Sequence, residues 1–121
     1  MIAKILVVDD FTSIRNMIVF TLKQHQHDVK EAADGNACLM KAKTSNVDLV
    51  MTDINMPGMD GITMCSEIRK LPSYRTTPIL MLTTESTPEM KQKGKMAGAT
   101  GWLVKPFNPE KLISTIKKVV R

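Results

Sequence analysis

The pattern of apolar and polar positions along this chain predicts five short strands that alternate with helices. The strands cover about Lys4–Val8, Asp28–Ala32, a segment ending at Asp53, Ile79–Leu82 and Gly101–Val104. Short runs of aliphatic and β-branched residues between turn residues are typical of strands buried on both faces.

Between the strands, apolar residues recur at helical spacing. The first helix is predicted over about Ser13–Lys23, the third is stopped by Pro72, and the fourth begins near Pro88. The predicted apolar faces are Ile14, Met17, Ile18 and Leu22; Cys38, Leu39 and Ala42 after an Asp34-Gly35 turn; Ile62, Cys65, Ile68 and Leu71; Met90, Gly94 and Ala97; and Leu112, Ile113, Ile116, Val119 and Val120. The face of the fourth helix is thin.

This strict alternation predicts an α/β fold, with a five-stranded parallel doubly wound sheet and helices on both faces. The strand order 2-1-3-4-5, which is flavodoxin-like, is taken by analogy with other doubly wound sheets. That order makes the first and third strands neighbours at the point where the chain reverses its direction of winding. We therefore expect the residues that follow these two strands to lie together.

Length and composition indicate one domain over residues 1–121, expected to be a cytoplasmic monomer. The chain is 43% hydrophobic and 24% charged, as is usual for globular proteins. It has no apolar run of the roughly 20 residues that a membrane helix needs, and its first residues do not resemble a signal peptide. We interpret Cys38 and Cys65 as buried structural thiols, and His25 and His27 as solvated turn residues.

The net charge of +5 raises the possibility of nucleic-acid binding. The lysines are spread over predicted helix surfaces, however, and only 4% of the residues are aromatic, which leaves few side chains for base stacking. The charge therefore favours a protein-binding surface over a nucleic-acid interface.

Three acids and a lysine directly follow predicted strands. Asp9 and Asp10 follow the first strand, Asp53 ends the third, and Lys105 follows the fifth. Two carboxylates about 4 Å apart repel by roughly 4 kcal/mol at an effective dielectric constant near 20, so three in one pocket favour a bound cation. Mg²⁺ suits this set, because it takes one or two carboxylates and shares phosphate oxygens.

The same edge of the sheet contains the groups that phosphoryl transfer requires. Asp53 is the candidate nucleophile, because a carboxylate attacks phosphorus when nearby charges neutralise the leaving oxygens. Lys105 would supply one such charge, and the hydroxyl of Thr83 at the end of the fourth strand would bond a phosphoryl oxygen. Lys105 precedes Pro106, and a cis bond there would direct the lysine toward the pocket.

Together these residues resemble the receiver domain of two-component response regulators. The motifs are Asp9-Asp10, Asp53 with the loop through Gly61, Thr83, and Lys105-Pro106-Phe107, all in the family's order over essentially the whole chain. Within that family, the chain is most similar to the single-domain chemotaxis regulators, the CheY group. Trp102 is a departure, because that group usually carries tyrosine at this position.

The resemblance implies a role for each residue. Asp53 would accept a phosphoryl group from a sensor histidine kinase of the chemotaxis type. The metal would be Mg²⁺, bound directly by Asp10 and Asp53, through water by Asp9 and through the backbone carbonyl of Asn55. Lys105 would pair with the phosphoryl oxygens.

The resemblance also implies a conformational switch. Thr83 would move toward the phosphate and Trp102 would turn inward, which repacks the face formed by helix 4, strand 5 and helix 5. Asn55 and Glu85 would tune hydrolysis of the acyl phosphate, giving a short-lived phosphorylated state. Apart from Mg-dependent self-phosphorylation from a phosphodonor and auto-dephosphorylation, no enzymatic activity is expected.

Several alternatives remain open at the level of sequence. The target is a flagellar motor switch protein or another motility component, with a phosphatase as a further possible partner. A phosphate sink or a non-flagellar motility regulator would have the same site chemistry. A phosphohydrolase of the haloacid-dehalogenase type is disfavoured, because the first strand lacks Asp-x-Asp spacing. A dinucleotide-binding domain is disfavoured because no Gly-x-Gly-x-x-Gly loop follows that strand.

Overall fold

The chain folds around a five-stranded parallel sheet with the strand order β2-β1-β3-β4-β5. The computed structural model describes residues 2–84 and 87–120. The strands are β1 (Lys4–Val8), β2 (Asp28–Ala32), β3 (Leu49–Asp53), β4 (Ile79–Thr83) and β5 (Gly101–Val104). The predicted α/β fold class and strand order are confirmed, and β4 extends one residue further than predicted, to include Thr83.

The first helix has its predicted bounds to within one residue, and the fourth begins at Pro88 as predicted. The helices are α1 (Thr12–Gln24), α2 (Gly35–Thr44), α3 (Gly61–Arg69), α4 (Pro88–Ala97) and α5 (Pro109–Val119), with a short 3₁₀ helix over Pro72–Tyr74. Side chains of Asp34, Asp60, Thr87 and Asn108 cap the first turns of α2 to α5 by accepting backbone N–H bonds. Within the described part of the chain, no helix is both long and apolar enough to cross a membrane.

Two hydrophobic layers cover the two faces of the sheet. One layer contains apolar residues of α1 and α5, including Ile18, Leu22 and Ile116. The other contains residues of α2 and α3, including both cysteines, with residues of α4 packed against it. This arrangement leaves the carboxyl ends of the strands uncovered by helices, which is where ligands bind in such sheets.

One prediction about the core is wrong. Met17 is 37% exposed, because the buried stripe of α1 runs through Ile18, Val19 and Leu22 instead. Leu71 packs against the core as predicted, but it lies outside α3, which ends at Arg69, and precedes the 3₁₀ helix that Pro72 begins. Cys38 and Cys65 are fully buried free thiols, as predicted, and burial raises the pKa of Cys38 to about 12.

The interpretation of His27 as a solvated residue is also wrong. Its side chain is buried, and its Nδ1 accepts a hydrogen bond from the backbone N–H of Ala3 at 3.1 Å. A nitrogen that accepts this bond carries no proton, so the folded state requires the neutral imidazole. The ring thereby ties the start of β2 to the residue before β1.

Because of this contact, acidification is expected to destabilise the protein through His27. Burial lowers the pKa of His27 from its ordinary value of 6.5, so the unfolded chain binds this proton more tightly than the folded chain does. The free energy of unfolding should therefore fall as the pH drops below about 6.5 and level off below the lower folded pKa. Urea unfolding from about pH 8 to about pH 5 measures this, and His27→Gln should reduce the slope. Equal slopes in both proteins would contradict the assignment.

Candidate functional site

Three carboxylates meet at the carboxyl ends of β1 and β3. Asp9 and Asp10 follow β1, and Asp53 ends β3, the strand paired with β1. One oxygen from each lies within 4.8 Å of the others. Asp9 is fully buried and Asp53 is 5% exposed, so these charges have little water to screen them.

Lys105 joins two of these acids. Its Nζ lies 3.1 Å from Oδ2 of Asp9 and 3.2 Å from Oδ1 of Asp53. The peptide bond between Lys105 and Pro106 is cis. With three carboxylates and one ammonium group, the ionised cluster has a formal charge of −2, which one divalent cation would neutralise.

The environment of Asp53 disfavours its ionised form. Burial raises the pKa of the Asp53 carboxyl and the charge of Asp9 raises it further, whereas Lys105 opposes the shift. The Ile54 N–H donates to Oδ1 at 3.0 Å, which orients the carboxylate. A Cβ on Gly61 would lie 2.2 Å from the Asp53 carbonyl oxygen, so glycine permits the close approach of α3 to the end of β3.

Asp9 and Asp10 do not cap α1. The N-cap residue is Phe11, whose helix has no side-chain cap, and Asp9 Oδ1 accepts only a local bond from the Phe11 N–H at 2.9 Å. Asp10 Oδ1 is buried and has no hydrogen-bond partner among the described residues. A buried acceptor of this kind is costly unless something binds it. The orphaned oxygen and the all-oxygen donor set therefore fit a hard divalent cation.

Arg15 is a residue of this site that the sequence analysis missed. Its Nη1 donates to the backbone carbonyl of Asp9 at 2.6 Å, and its Nε pairs with Glu31 at 3.2 Å. Through this hydrogen bond the guanidinium group holds the backbone of Asp9 in place. No local sequence pattern distinguishes this arginine from a solvated one.

The remaining candidate residues lie around this cluster. Thr83 is buried at the end of β4, next to the strand that carries Asp53. Asn55 is exposed in the loop after β3. Trp102 is half-buried on β5, and its Nε1 has no partner among the described residues. Glu85, the second predicted hydrolysis-tuning residue, lies outside the residues that the structure describes.

Comparison with known proteins places this arrangement in a family. A profile of the response regulator receiver domain matches residues 5–117. The chain belongs to the response regulator receiver family. The buried acidic cluster of this receiver domain therefore lies in a protein of two-component signalling. Receiver domains are phosphorylated on an aspartate and dephosphorylate themselves.

Individual relatives refine this picture. The structure of Vibrio cholerae chemotaxis protein CheY4 is 50% identical, has a TM-score of 0.97, and covers 99% of this chain and 100% of its own. Vibrio cholerae CheY-3 is 37% identical over 117 residues, or 96% of this receiver domain and 90% of CheY-3. The transcriptional regulatory protein ResD of Bacillus subtilis is 36% identical over 118 residues, or 98% of this chain and 48% of ResD. The receiver domain thus spans about half the length of the transcriptional regulators that it matches, and its fold is CheY-like.

Proposed function

We propose that this receiver is a phosphorylation-activated switch whose acceptor is Asp53. The phosphoryl group would leave the imidazole nitrogen of a phosphohistidine on a sensor kinase and form a bond to a carboxylate oxygen of Asp53. The proposal rests on the ion pairs of Lys105, whose Nζ lies 3.2 Å from Oδ1 of Asp53 and 3.1 Å from Oδ2 of Asp9. A carboxylate held by a cation at a sheet edge has the positioning that phosphoryl transfer needs.

Mg²⁺ is the proposed cofactor. Asp10 and Asp53 would bind it directly, Asp9 through water and Asn55 through its backbone carbonyl. When bound, the ion supplies positive charge for the phosphoryl oxygens. The orphaned Oδ1 of Asp10 and the formal charge of −2 on the four-residue cluster support this assignment.

Three further residues have proposed roles around Asp53. Lys105 would exchange its present carboxylate contacts for a phosphoryl oxygen, and the Thr83 hydroxyl would bond another. Trp102 would then turn inward and repack the face formed by α4, β5 and α5. A local charge change that biases two packings in this way is a population shift.

Hydrolysis of the acyl phosphate would return the switch to rest. We propose that Asn55, exposed two residues after Asp53, helps to orient the attacking water, together with Glu85. The phosphorylated state would therefore be short-lived. Apart from self-phosphorylation and auto-dephosphorylation, we propose no separate enzymatic activity.

The proposed setting is chemotaxis or motility control in the cytoplasm, with residues 1–121 acting as one monomeric receiver unit. Similarity to the chemotaxis proteins CheY4 and CheY-3 supports a chemotaxis-type histidine kinase as the donor. The target would be a flagellar switch protein or another motility component, and the exposed lysines of α4, among them Lys91 and Lys95, favour a partner other than the usual flagellar switch protein. A phosphate sink that has no target is the second candidate.

Fluorescence of Trp102, the one tryptophan in the chain, tests the proposal. Titration with Mg²⁺, followed by beryllofluoride as a phosphoryl mimic, should change the emission in two steps. Asp53→Asn should abolish the second step, because the mimic needs the carboxylate. A response to beryllofluoride that persists in Asp53→Asn would contradict the proposal. Comparing captured proteins with and without the mimic then distinguishes a switch from a sink.

A further inference from the structure

Trp102 rests against the one helix that offers little apolar surface. In the sheet it pairs with Met81 of β4, and its side chain packs on the hydrophobic layer formed by α2 and α3. Helix α4 lies over the same layer, and Gly94 is its only buried residue. The indole therefore meets α4 at the residue with no side chain.

The contact between this ring and Gly94 leaves no room for a methyl group. A Cβ on residue 94 would lie 2.7 Å from Cζ3 of Trp102 and 3.5 Å from Cη2. The shorter distance is below any normal carbon–carbon contact. Glycine weakens a helix interior relative to alanine, so its presence here needs a packing reason, and the indole provides one.

There is free space beside the indole. A surface cavity of about 260 Å³ adjoins the ring and is lined by Lys91, Lys95, Ala99, Thr100, Gly101 and Trp102. This space lies beside the ring, so a ring pushed away from Gly94 would have room to enter it.

We propose that Gly94 is a positioning residue for Trp102. By omitting a side chain, it gives the indole its resting place against α4, and it thereby sets how readily the indole moves when Asp53 is modified. The regulatory part rests on the proposed function, whereas the packing part stands on the contact geometry.

The substitution Gly94→Ala should have opposite effects in two backgrounds. In the Trp102→Ala background no ring opposes the new methyl group, so the variant should gain the helix propensity of alanine and raise the folding equilibrium constant about fivefold. With Trp102 present, the clash should outweigh that gain and lower the constant about fivefold or more. Urea unfolding of all four proteins, followed by circular dichroism, measures this cycle.

A stabilisation of similar size in both backgrounds would overturn the proposal, because it would show that the ring does not depend on residue 94. The cycle needs no phosphoryl mimic. It therefore tests the packing part even if the protein does not respond to beryllofluoride.

The regulatory part has a spectroscopic readout. In Gly94→Ala the emission of Trp102 should shift to longer wavelength, because the indole has left its half-buried position. The apparent affinity for beryllofluoride, in the presence of Mg²⁺, should rise about threefold. The reason is that the methyl group destabilises the resting position of the indole, which competes with the conformation that binds the mimic. Lys93→Ala is the matched control, because it places alanine on an exposed position of α4 and should change neither quantity.

These measurements distinguish the positioning role of Gly94 from the proposed function as a phosphorylation-activated switch. An unchanged emission and an unchanged affinity in Gly94→Ala would overturn the positioning role. A wild-type protein that does not respond to beryllofluoride would instead contradict the proposed function, and the unfolding cycle would still decide whether Gly94 seats the ring.

Discussion

Asp53→Asn is expected to reduce phosphoryl incorporation from a small acyl-phosphate donor about a hundredfold or more, because the amide oxygen is a poor nucleophile. The amide has the same shape, and its oxygen can still accept the bonds that Ile54 N–H and Lys105 donate to Oδ1. The fold should therefore be preserved. Incorporation of labelled phosphate, measured in the presence of Mg²⁺, gives the result directly.

The matched control is Asp60→Asn. Asp60 lies in the loop after β3 and caps α3 by accepting the Thr63 N–H at 2.7 Å, and asparagine caps a helix as well as aspartate does. This variant should incorporate label at the wild-type rate. Comparable losses in the two variants would show that incorporation depends on the loop as a whole rather than on the carboxylate of Asp53.

Asp10→Ala should weaken Mg²⁺ binding about tenfold or more and yet stabilise the metal-free protein. The substitution removes a direct ligand of the proposed ion. It also removes a buried oxygen that has no partner among the described residues and a charge that repels Asp9 and Asp53. Removing one unsatisfied buried oxygen should raise the free energy of unfolding by about 1–2 kcal/mol. Calorimetric titration and urea unfolding without metal measure the two effects.

Asp34→Ala is the control for Asp10→Ala, because it should have the opposite effects on stability and on Mg²⁺ binding. Its carboxylate accepts the Ala37 N–H at 2.8 Å at the start of α2, away from the acidic cluster. Its loss should lower the free energy of unfolding by about 1 kcal/mol and leave Mg²⁺ binding unchanged. If Asp10→Ala behaved like Asp34→Ala, Asp10 would be a structural residue and the metal site would lie elsewhere.

The trade between stability and function at Asp10 has a simple physical origin. Asp9, Asp10 and Asp53 are brought within 4.8 Å by strands whose apolar residues fix their register. Hydrophobic burial elsewhere must therefore offset the repulsion between these acids. Sites prepared for an absent ligand commonly show this cost.

The sequence predicted the sheet edge well, because the relevant residues directly follow buried strands. The position of Asp53 at the end of β3 depends only on strand alternation and order, and both can be read from local patterns. Lys105 was harder to place, since its side chain reaches two acids across the sheet. The strand pattern placed Lys105 at the same sheet edge as the acids, but its contacts with Asp9 and Asp53 become visible only in the structure.

Other features could not be predicted because they depend on packing between distant segments. His27 was expected in solvent, yet it is buried and bonded to Ala3, 24 residues away in sequence. Arg15 reaches the carbonyl of Asp9 from within α1, and no local pattern distinguishes it from a solvated arginine. In the sequence Gly94 is only one of three residues of a thin apolar face, and its contact with Trp102 becomes visible only when β5 and α4 are placed together.

The central claim is that the carboxylate at position 53 accepts a phosphoryl group in a pocket that requires a divalent ion. Mass spectrometry of the protein after incubation with an acyl-phosphate donor tests it most directly, with borohydride trapping of the acyl phosphate. We expect one modified site, in the peptide containing Asp53, in the presence of Mg²⁺, and none when the metal is chelated. Modification at another residue, or equal modification of Asp53 without divalent ions, would contradict the account.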